Sequence, residues 1–450
     1  MGDIHPLLYL VLMIVFLFRA SYFSLKSVWF DEFLNLEIAK LSASQIFSGN
    51  YFTDSNPPLY YLILKFFTYL GGSELSYRLL ALFFSMVSIL LAYLFAKRLA
   101  TNSIALTFAL LIATSTTFIF YATEIRVYAF LICCVLLALL ACTYDTLGWK
   151  IVGLMALLVS SYSHFFGIIS IFMVASIAIA AHKPINLKWA GYALLLSLPV
   201  IYYYVKITQA GYYGIQYEAD PRYGLDVVSY SLNIFGNVTQ SQSLLSDLLQ
   251  LPNWIGLFFL LCGGVGHIKA NNTRLLFGVG LVYGLYVFGL FLLANMRMHF
   301  FRRYLMPGIL FGMLIVSGCG YFFQRNKFAI IPILLSVYGA FVSINYVLSP
   351  TDTQFYTKDT AQGIQSTKMP NETLVLLGWD TTPTLYYLGS NVSYITSYEF
   401  EKRAVNTSAN NAHFLLIDSP YARKPDQLQS SCLVYQNNYA KIYRYPPPCN

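Results

Sequence analysis

Charge is what this sequence has least of. Asp, Glu, Lys and Arg make up 11% of its 450 residues, against 57% hydrophobic residues. A soluble domain carries about 25% charged residues. So few charges cannot cover a water-facing surface, and the apolar majority must face lipid or other buried helices. Also missing are a Walker loop, a Rossmann glycine fingerprint, an HExxH helix and a CxxC pair, which argues against soluble nucleotide chemistry and structural zinc. No internal repeat and no long disordered linker is present. The net charge of +8 invites a nucleic-acid reading. That reading fails because Lys and Arg sit in short clusters between apolar runs, not on one basic face.

What is there is a series of apolar runs. A bilayer span needs roughly 20 apolar residues. Candidates fall at approximately 7–24, 79–96, 104–121, 128–144, 150–165, 166–181, 189–206, 253–268, 275–294, 304–323 and 328–348, giving an α-helical polytopic membrane protein of about eleven transmembrane helices. The first run has neither a basic leader nor a clear small-residue cleavage site, so it is read as a retained span. Lys97 with Arg98, Lys150, Lys183 with Lys188, Lys269 with Arg274, and Arg325 with Lys327 fall in alternating connections. The positive-inside bias puts those connections and the N-terminus in the cytoplasm, and the C-terminus outside. Leu59 to Leu70 is apolar but short and follows Pro57-Pro58. It is expected to be an interfacial or re-entrant helix. Of the Asn-X-Ser/Thr sequons at Asn237, Asn271, Asn371, Asn391 and Asn406, only Asn271 falls on the cytoplasmic side of this scheme.

From about residue 350 the character changes. Thr357–Thr367 reads as a helix, and Thr373–Leu377, Val392–Thr396 and Phe414–Ile417 read as strands. The expected organisation is a transmembrane domain over 1–349 and a small extracytoplasmic α/β domain over 350–450. Cys133, Cys134, Cys142, Cys262 and Cys319 lie in apolar runs as small hydrophobes. Cys432 and Cys449 lie in the polar tail, where an oxidising compartment would allow a disulfide.

The outer loops collect polar residues that topology does not require. Asp31 and Glu32 are adjacent carboxylates among aromatics, just past the first span. They suit either a general base at the membrane surface or the start of a helix running to about Leu41. Asp54 and Asn56 precede Pro57-Pro58, which suits a helix-starting turn. Glu124 and Arg126 sit in a very short turn between two apolar runs, expected at the outer bilayer edge. They make a local ion pair, or Arg126 binds a phosphate and Glu124 meets a second charge. His164 lies in another outer turn and is either a hydrogen-bonded core residue or a pocket residue. Arg297, His299, Arg302, Arg303 and Tyr304 form a basic cluster on the outer side. That placement runs against the positive-inside bias, so an anion outside is expected to compensate it: lipid headgroups or a specific phosphate.

Six segments in order carry a family resemblance: Asp31-Glu32, Asn56-Pro57-Pro58-Leu59-Tyr60-Tyr61, Glu74-Leu75-Ser76-Tyr77-Arg78, Tyr121-Ala122-Thr123-Glu124-Ile125-Arg126-Val127-Tyr128, His164-Phe165-Phe166-Gly167 and Arg303-Tyr304-Leu305-Met306-Pro307. Over about residues 1–310 the chain resembles the GT-C glycosyltransferases, in particular the protein O-mannosyltransferase-like group (family 39) with the related aminoarabinose transferases. The resemblance implies inverting transfer of a sugar from a polyprenyl-phosphate donor to an acceptor hydroxyl on the outer or lumenal face. It implies Asp31 as catalytic base and Glu32 as an aid to acceptor placement. It gives Arg126, Arg302, Arg303 and Tyr304 the donor phosphate, and it makes Asn56, Glu124 and His164 pocket residues. Members differ in metal use, which leaves a divalent metal ion open as a cofactor. Two departures stand out. Asn56 replaces the His or Lys often found before the Pro pair, and no β-trefoil domain is inserted in a loop. The acceptor is therefore left as a glycan, a lipid or a protein. The competing readings are a transporter or flippase of lipid-linked sugars and a non-catalytic scaffold.

Overall fold

Breaks in the apolar helices, more than the helices themselves, shape this molecule. The computed structural model describes residues 6–21, 23, 26–48, 56–180, 187–209, 227, 231, 251–295, 306–324, 341, 356–370, 372–377, 382–388, 392, 394–396, 413–418, 431–437 and 440–445. They fall into two compact units, one of Met1–Ser21 with Ala39–Ser349 and one of Tyr22–Ile38 with Pro350–Asn450.

The first unit is helical. Its elements are α1 (Pro6–Ser21), α3 (Ala43–Ser48), α4 (Leu59–Tyr69), α5 (Glu74–Leu99), α6 (Asn102–Thr114), α7 (Thr116–Tyr121), α8 (Tyr128–Ala141), α9 (Leu147–Ser161), α10 (Phe166–Ala180), α11 (Leu187–Leu196) and α12 (Leu198–Gln209), with α2 (Phe30–Lys40) lying between α1 and α3 in sequence. Helices Leu251–Lys269, Thr273–Asn295 and Met306–Val316 follow. The expected span at 328–348 lies outside the described residues save Phe341. Central α5 packs on α6 and α8, α8 on α9, and α10 on Thr273–Asn295. Among the described residues, Glu74–Leu99 and Thr273–Leu292 are long and apolar enough to cross a bilayer unaided. Large apolar side chains point outward along one stripe of the latter, at Phe277, Leu281, Leu285, Phe288 and Leu292. A stripe of that size facing outward marks a lipid surface, not a watered one.

Local chemistry sets the helix ends. α4 closes in a Schellman turn: Gly71 and Gly72 both take positive φ, and their N–H groups donate to Thr68 O and Phe67 O. Ser73 then caps α5, its Oγ accepting from Ser76 N–H at 3.2 Å. Asn271 closes Leu251–Lys269 in the same way, at φ 63, with Asn271 N–H donating to Ile268 O and Asn272 N–H to His267 O. A helix cap thus accounts for the asparagine of that sequon.

The run expected as one span at 104–121 breaks at Ser115 into α6 and α7. A break leaves terminal carbonyls without intrahelical partners. Here Arg19 of α1, fully buried, supplies them. Its Nη2 donates to Ile112 O at 3.2 Å and Ala113 O at 3.0 Å, while Nη1 bonds Ser85 Oγ on α5. One guanidinium therefore joins α1, α5 and the end of α6.

The second unit carries a five-stranded sheet, ordered β2-β1-β3-β5-β4, with β1 (Glu372–Leu376), β2 (Tyr394–Thr396), β3 (His413–Asp418), β4 (Cys432–Gln436) and β5 (Lys441–Tyr445). β2, β1 and β3 are parallel; β5 and β4 add antiparallel. Alternate side chains fill two faces. Leu374, Leu376, Leu415 and Ile417 pack with Ile364 of helix Thr357–Thr367, and Val375, Leu377, Phe414 and Leu416 pack on the other side. Parallel strands covered on both faces read as continuous apolar runs, which is how β1 and β3 read. Arg444 ties the sheet to that helix, donating to Glu372 Oε1 at 2.5 Å and Thr367 O at 2.7 Å. Cys432 is disulfide-bonded, and the five cysteines of the apolar runs are free. Residues 22–38, assigned from sequence to the membrane domain, group with this unit.

If Arg19 is the cap that permits the break at Ser115, Arg19→Leu should lower stability by about 2 kcal/mol, the cost of orphaning buried carbonyls less the relieved desolvation of the cation. Thermal unfolding of the purified chain in detergent measures this. An unchanged midpoint removes the capping role.

Candidate active site

Three polar turns of the helical unit meet. In the first, Asn56-Pro57-Pro58 leads into α4, whose first N–H, at Leu59, donates to Tyr162 O at 3.1 Å. Tyr203 Oη on α12 bonds Asn56 O at 3.5 Å, and Asn56 is buried. The second turn, 122–127, joins α7 to α8. Every residue in it is buried, including Thr123, Glu124 and Arg126. Glu124 and Arg126, expected in a turn at the outer bilayer edge, are buried within the protein. The third turn, 162–165, joins α9 to α10 and holds His164, also buried.

Aromatic rings weld these turns together. Tyr121 contacts Tyr128 with centroids 4.7 Å apart, Tyr128 contacts His164 at 5.4 Å, and His164 stacks on Phe165 at 4.5 Å and Phe166 at 4.9 Å. Tyr60 of α4 reaches Phe130 of α8 at 6.3 Å. The Arg126 guanidinium stands 5.9 Å from the Tyr128 ring centroid, within cation–π range. His164 Nδ1 accepts from Phe166 N–H at 3.1 Å, which assigns the ring proton of a neutral imidazole to Nε2.

Arg78 holds the central turn. It lies 1% exposed in the first turns of α5. Its Nη2 and Nε bind Glu74 Oε1 at 2.7 and 2.9 Å, and its Nη1 donates to Thr123 O at 2.6 Å. The carbonyl immediately before Glu124 is thereby fixed by a charge-assisted bond. The sequence signal was the Glu74–Arg78 spacing of four on a helix; it pointed to a pair but not to the backbone it clamps. Burial makes these charges matter. Electrostatic attraction to an anion is several-fold stronger in a water-poor protein environment than in bulk water.

The acidic pair belongs to the sheet-bearing unit. Asp31 and Glu32 fall in the first turn of α2, where carboxylates favour the exposed N–H groups. Asp31 is half-buried and Glu32 fully buried. Glu32 Oε2 accepts from Trp29 N–H at 3.3 Å, the acidic half of a capping box. The pair thus starts a helix, as one of the two sequence readings had it. Arg302, Arg303 and Tyr304, with Arg297, His299 and Asp54, lie outside the described residues. Among the described residues no three His, Cys, Asp or Glu side chains gather as metal ligands, and no step below is routed through a metal.

The outward apolar stripe and the buried polar turns together suit a helical membrane protein. Residues 55–204 match the family model described as dolichyl-phosphate-mannose-protein mannosyltransferase. Among solved structures, the chain is similar to apo ArnT from Cupriavidus metallidurans (TM-score 0.61, 12% identity, 98% of each chain covered). It is similar to the same protein bound to undecaprenyl phosphate (TM-score 0.57, 14% identity, 98% of each chain). It also resembles the Archaeoglobus fulgidus oligosaccharyltransferase crystallised with Zn and sulfate (TM-score 0.51, 12% identity, 90% of this chain and 67% of that one). No curated protein matches by sequence. The resemblance to GT-C glycosyltransferases drawn from the motifs therefore holds, and the family model covers four of the six motif segments in full.

Arg78→Met should cost about 2 kcal/mol, since it removes the donor of a buried carbonyl and the partner of the half-buried Glu74 carboxylate. The exposed Arg98→Met should cost less than about 1 kcal/mol. Denaturation of the two variants side by side tests the contrast, and equal losses would refute the clamp.

Proposed function

We propose that this chain is a glycosyltransferase that moves a hexose or pentose from a polyprenyl-phosphate donor to an acceptor hydroxyl on the extracytoplasmic face, with inversion at the anomeric carbon. The observation that carries the proposal is the buried turn at Arg126. Pinned by Arg78, lined by Glu124 and His164 and joined to the Asn56 turn, it falls within the 55–204 match to the mannosyltransferase family model.

In this reading Asp31 accepts the acceptor's hydroxyl proton. The freed oxygen attacks the anomeric carbon from the side opposite the phosphate, and the sugar–phosphate bond breaks with its electron pair left on the phosphate oxygen. Glu32 starts the helix that presents Asp31 and helps to place the acceptor. Arg126, with Arg302, Arg303 and Tyr304, stabilises the charge that develops on the leaving phosphate; preorganised donors aimed at developing charge give the largest rate effects. Asn56 is neutral and offers the phosphate a polar contact without charge. An apolar groove of about 260 Å³ between α10 and Thr273–Asn295, lined by Phe172, Met173, Leu285 and Tyr286 among others, suits an isoprenoid tail. It adjoins the ring path through Tyr286, whose centroid is 6.4 Å from that of Phe166. The acceptor is a glycan, lipid or protein hydroxyl.

Orientation follows the basic residues: N-terminus in the cytoplasm, sheet-bearing unit outside. The Cys432 disulfide supports an oxidising compartment for that unit. A flippase is not favoured. Arg19 and His267, ionisable groups inside spans, bond backbone carbonyls and serve the packing.

Two measurements test the proposal. Mass spectrometry of glycans in a deletion strain should reveal a missing sugar, restored by the native chain and not by Asp31→Asn. Asp31→Asn should still bind undecaprenyl phosphate, and restoration by it would remove Asp31 as the base. Arg126→Gln should weaken undecaprenyl phosphate binding roughly tenfold, the worth of one charge-assisted contact. Unaltered binding would take the phosphate away from Arg126.

A further inference from the structure

The segment that carries the acidic pair is anchored at its base to two helices of the C-terminal unit, Thr357–Thr367 and Thr384–Leu388, by side chains that no site motif includes. Ser27 and Val28 are almost fully buried. Ser27 Oγ accepts the N–H of Lys358 at 3.2 Å. Lys358 lies in the first turn of helix Thr357–Thr367, whose own N-cap residue, Tyr356, makes no side-chain cap bond. Ser27 therefore caps, from a distant part of the chain, a helix that lacks its own cap. One residue on, Val28 N–H donates to Tyr387 Oη at 2.8 Å, from helix Thr384–Leu388.

Those two helices are themselves fixed. Gln365 Nε2 donates to Tyr387 O at 3.4 Å, linking one helix to the other. Asn437 Nδ2 donates to Thr360 Oγ1 at 2.9 Å and Tyr435 Oη to Asp359 O at 3.2 Å, linking the first helix to the β4 end of the sheet. On the other side of the anchor, Trp29 O accepts from Phe33 N–H at 2.8 Å and Glu32 closes on Trp29 N–H, so α2 begins immediately. Between the anchor at Val28 and Asp31 there is no slack: two residues, both already in or bonded to the helix start.

We infer that Tyr387 and Ser27 are positioning residues for Asp31, and that the C-terminal unit is the platform on which the catalytic base is held. The inference rests on the glycosyltransferase reading above and gives the tail a place in the chemistry. Tyr387 and Ser27 act through the 27–33 segment; neither touches reacting atoms. Misplacing a catalytic group by about 1 Å can cost on the order of a hundredfold in rate, so losing either bond should reach the reaction without reaching the donor's lipid phosphate.

The test uses the full chain in lipid nanodiscs and in the deletion strain, with Tyr387→Phe, Ser27→Ala, Ser27→Thr and Asp31→Asn. Amide hydrogen exchange over residues 27–33 should rise in Tyr387→Phe and Ser27→Ala and stay native in Ser27→Thr, which keeps the capping oxygen. Restoration of the missing glycan should fall on the order of tenfold or more in the first two and recover in Ser27→Thr. Undecaprenyl phosphate binding should remain native in all of them. Unchanged exchange overturns the anchor. Raised exchange with full transfer overturns its link to Asp31. A loss of lipid-phosphate binding that parallels the loss of transfer reduces the contacts to general stability and overturns positioning. Full transfer by Asp31→Asn removes Asp31 as the base and with it the positioning role, and the exchange data, which need no catalysis, tell that failure from a failure of the anchor.

Discussion

Irregular backbone inside a membrane protein survives only where its polar groups find partners, and in the helical unit buried arginines provide them. Arg19 satisfies the carbonyls exposed by the break at Ser115, and Arg78 satisfies Thr123. Without such donors, residues 102–141 would be held to two unbroken helices joined by a tight turn. With them, the chain accommodates a break and a six-residue turn rich in polar groups at buried positions. The polar site is thus made possible by cations whose own donors point at backbone.

The same economy explains the aromatic content of the site. A buried guanidinium beside a ring keeps some electrostatic solvation where water is scarce, and Tyr128 does this for Arg126. Tyr128 in turn touches His164, and His164 touches Phe165 and Phe166. Rings have few rotatable bonds, so a chain of them transmits position without much entropy cost.

Much of this was legible in the sequence, for physical reasons that differ by element. Apolar runs report helices because burial in lipid leaves composition no freedom, and α5, α8, α9 and α10 fall within a few residues of their expected bounds. The helix Thr357–Thr367 and strands β1 and β3 were visible for the same reason of periodicity. β4 and β5 were not. They lie at the antiparallel end of the sheet, where β4 is half-covered at best and β5 alternates buried Ile442 and Arg444 with more exposed positions, so neither gives the continuous buried run of β1 and β3. The break at Ser115 was hidden because its carbonyls are satisfied from α1, a contact of high sequence separation. Arg19 itself was a signal passed over: an arginine within the first span demands a buried partner. Burial of Glu124 and Arg126 within the protein was not visible, because the turns packed against a short inter-helix turn are distant in sequence.

The acidic pair shows the deeper limit of reading position along a chain as position in space. By sequence, Asp31 follows the first span and belongs with it. By packing, its segment belongs to a sheet whose strands begin some 340 residues later. A pair of hydrogen bonds at Ser27 and Val28 makes the difference, and neither partner, Lys358 N–H nor Tyr387 Oη, carries any composition signal. A half-buried carboxylate carried on one unit and a buried cation on another answer to different forces. Sheet packing and helix capping govern Asp31, while membrane burial governs Arg126. Each can therefore vary without unfolding the other.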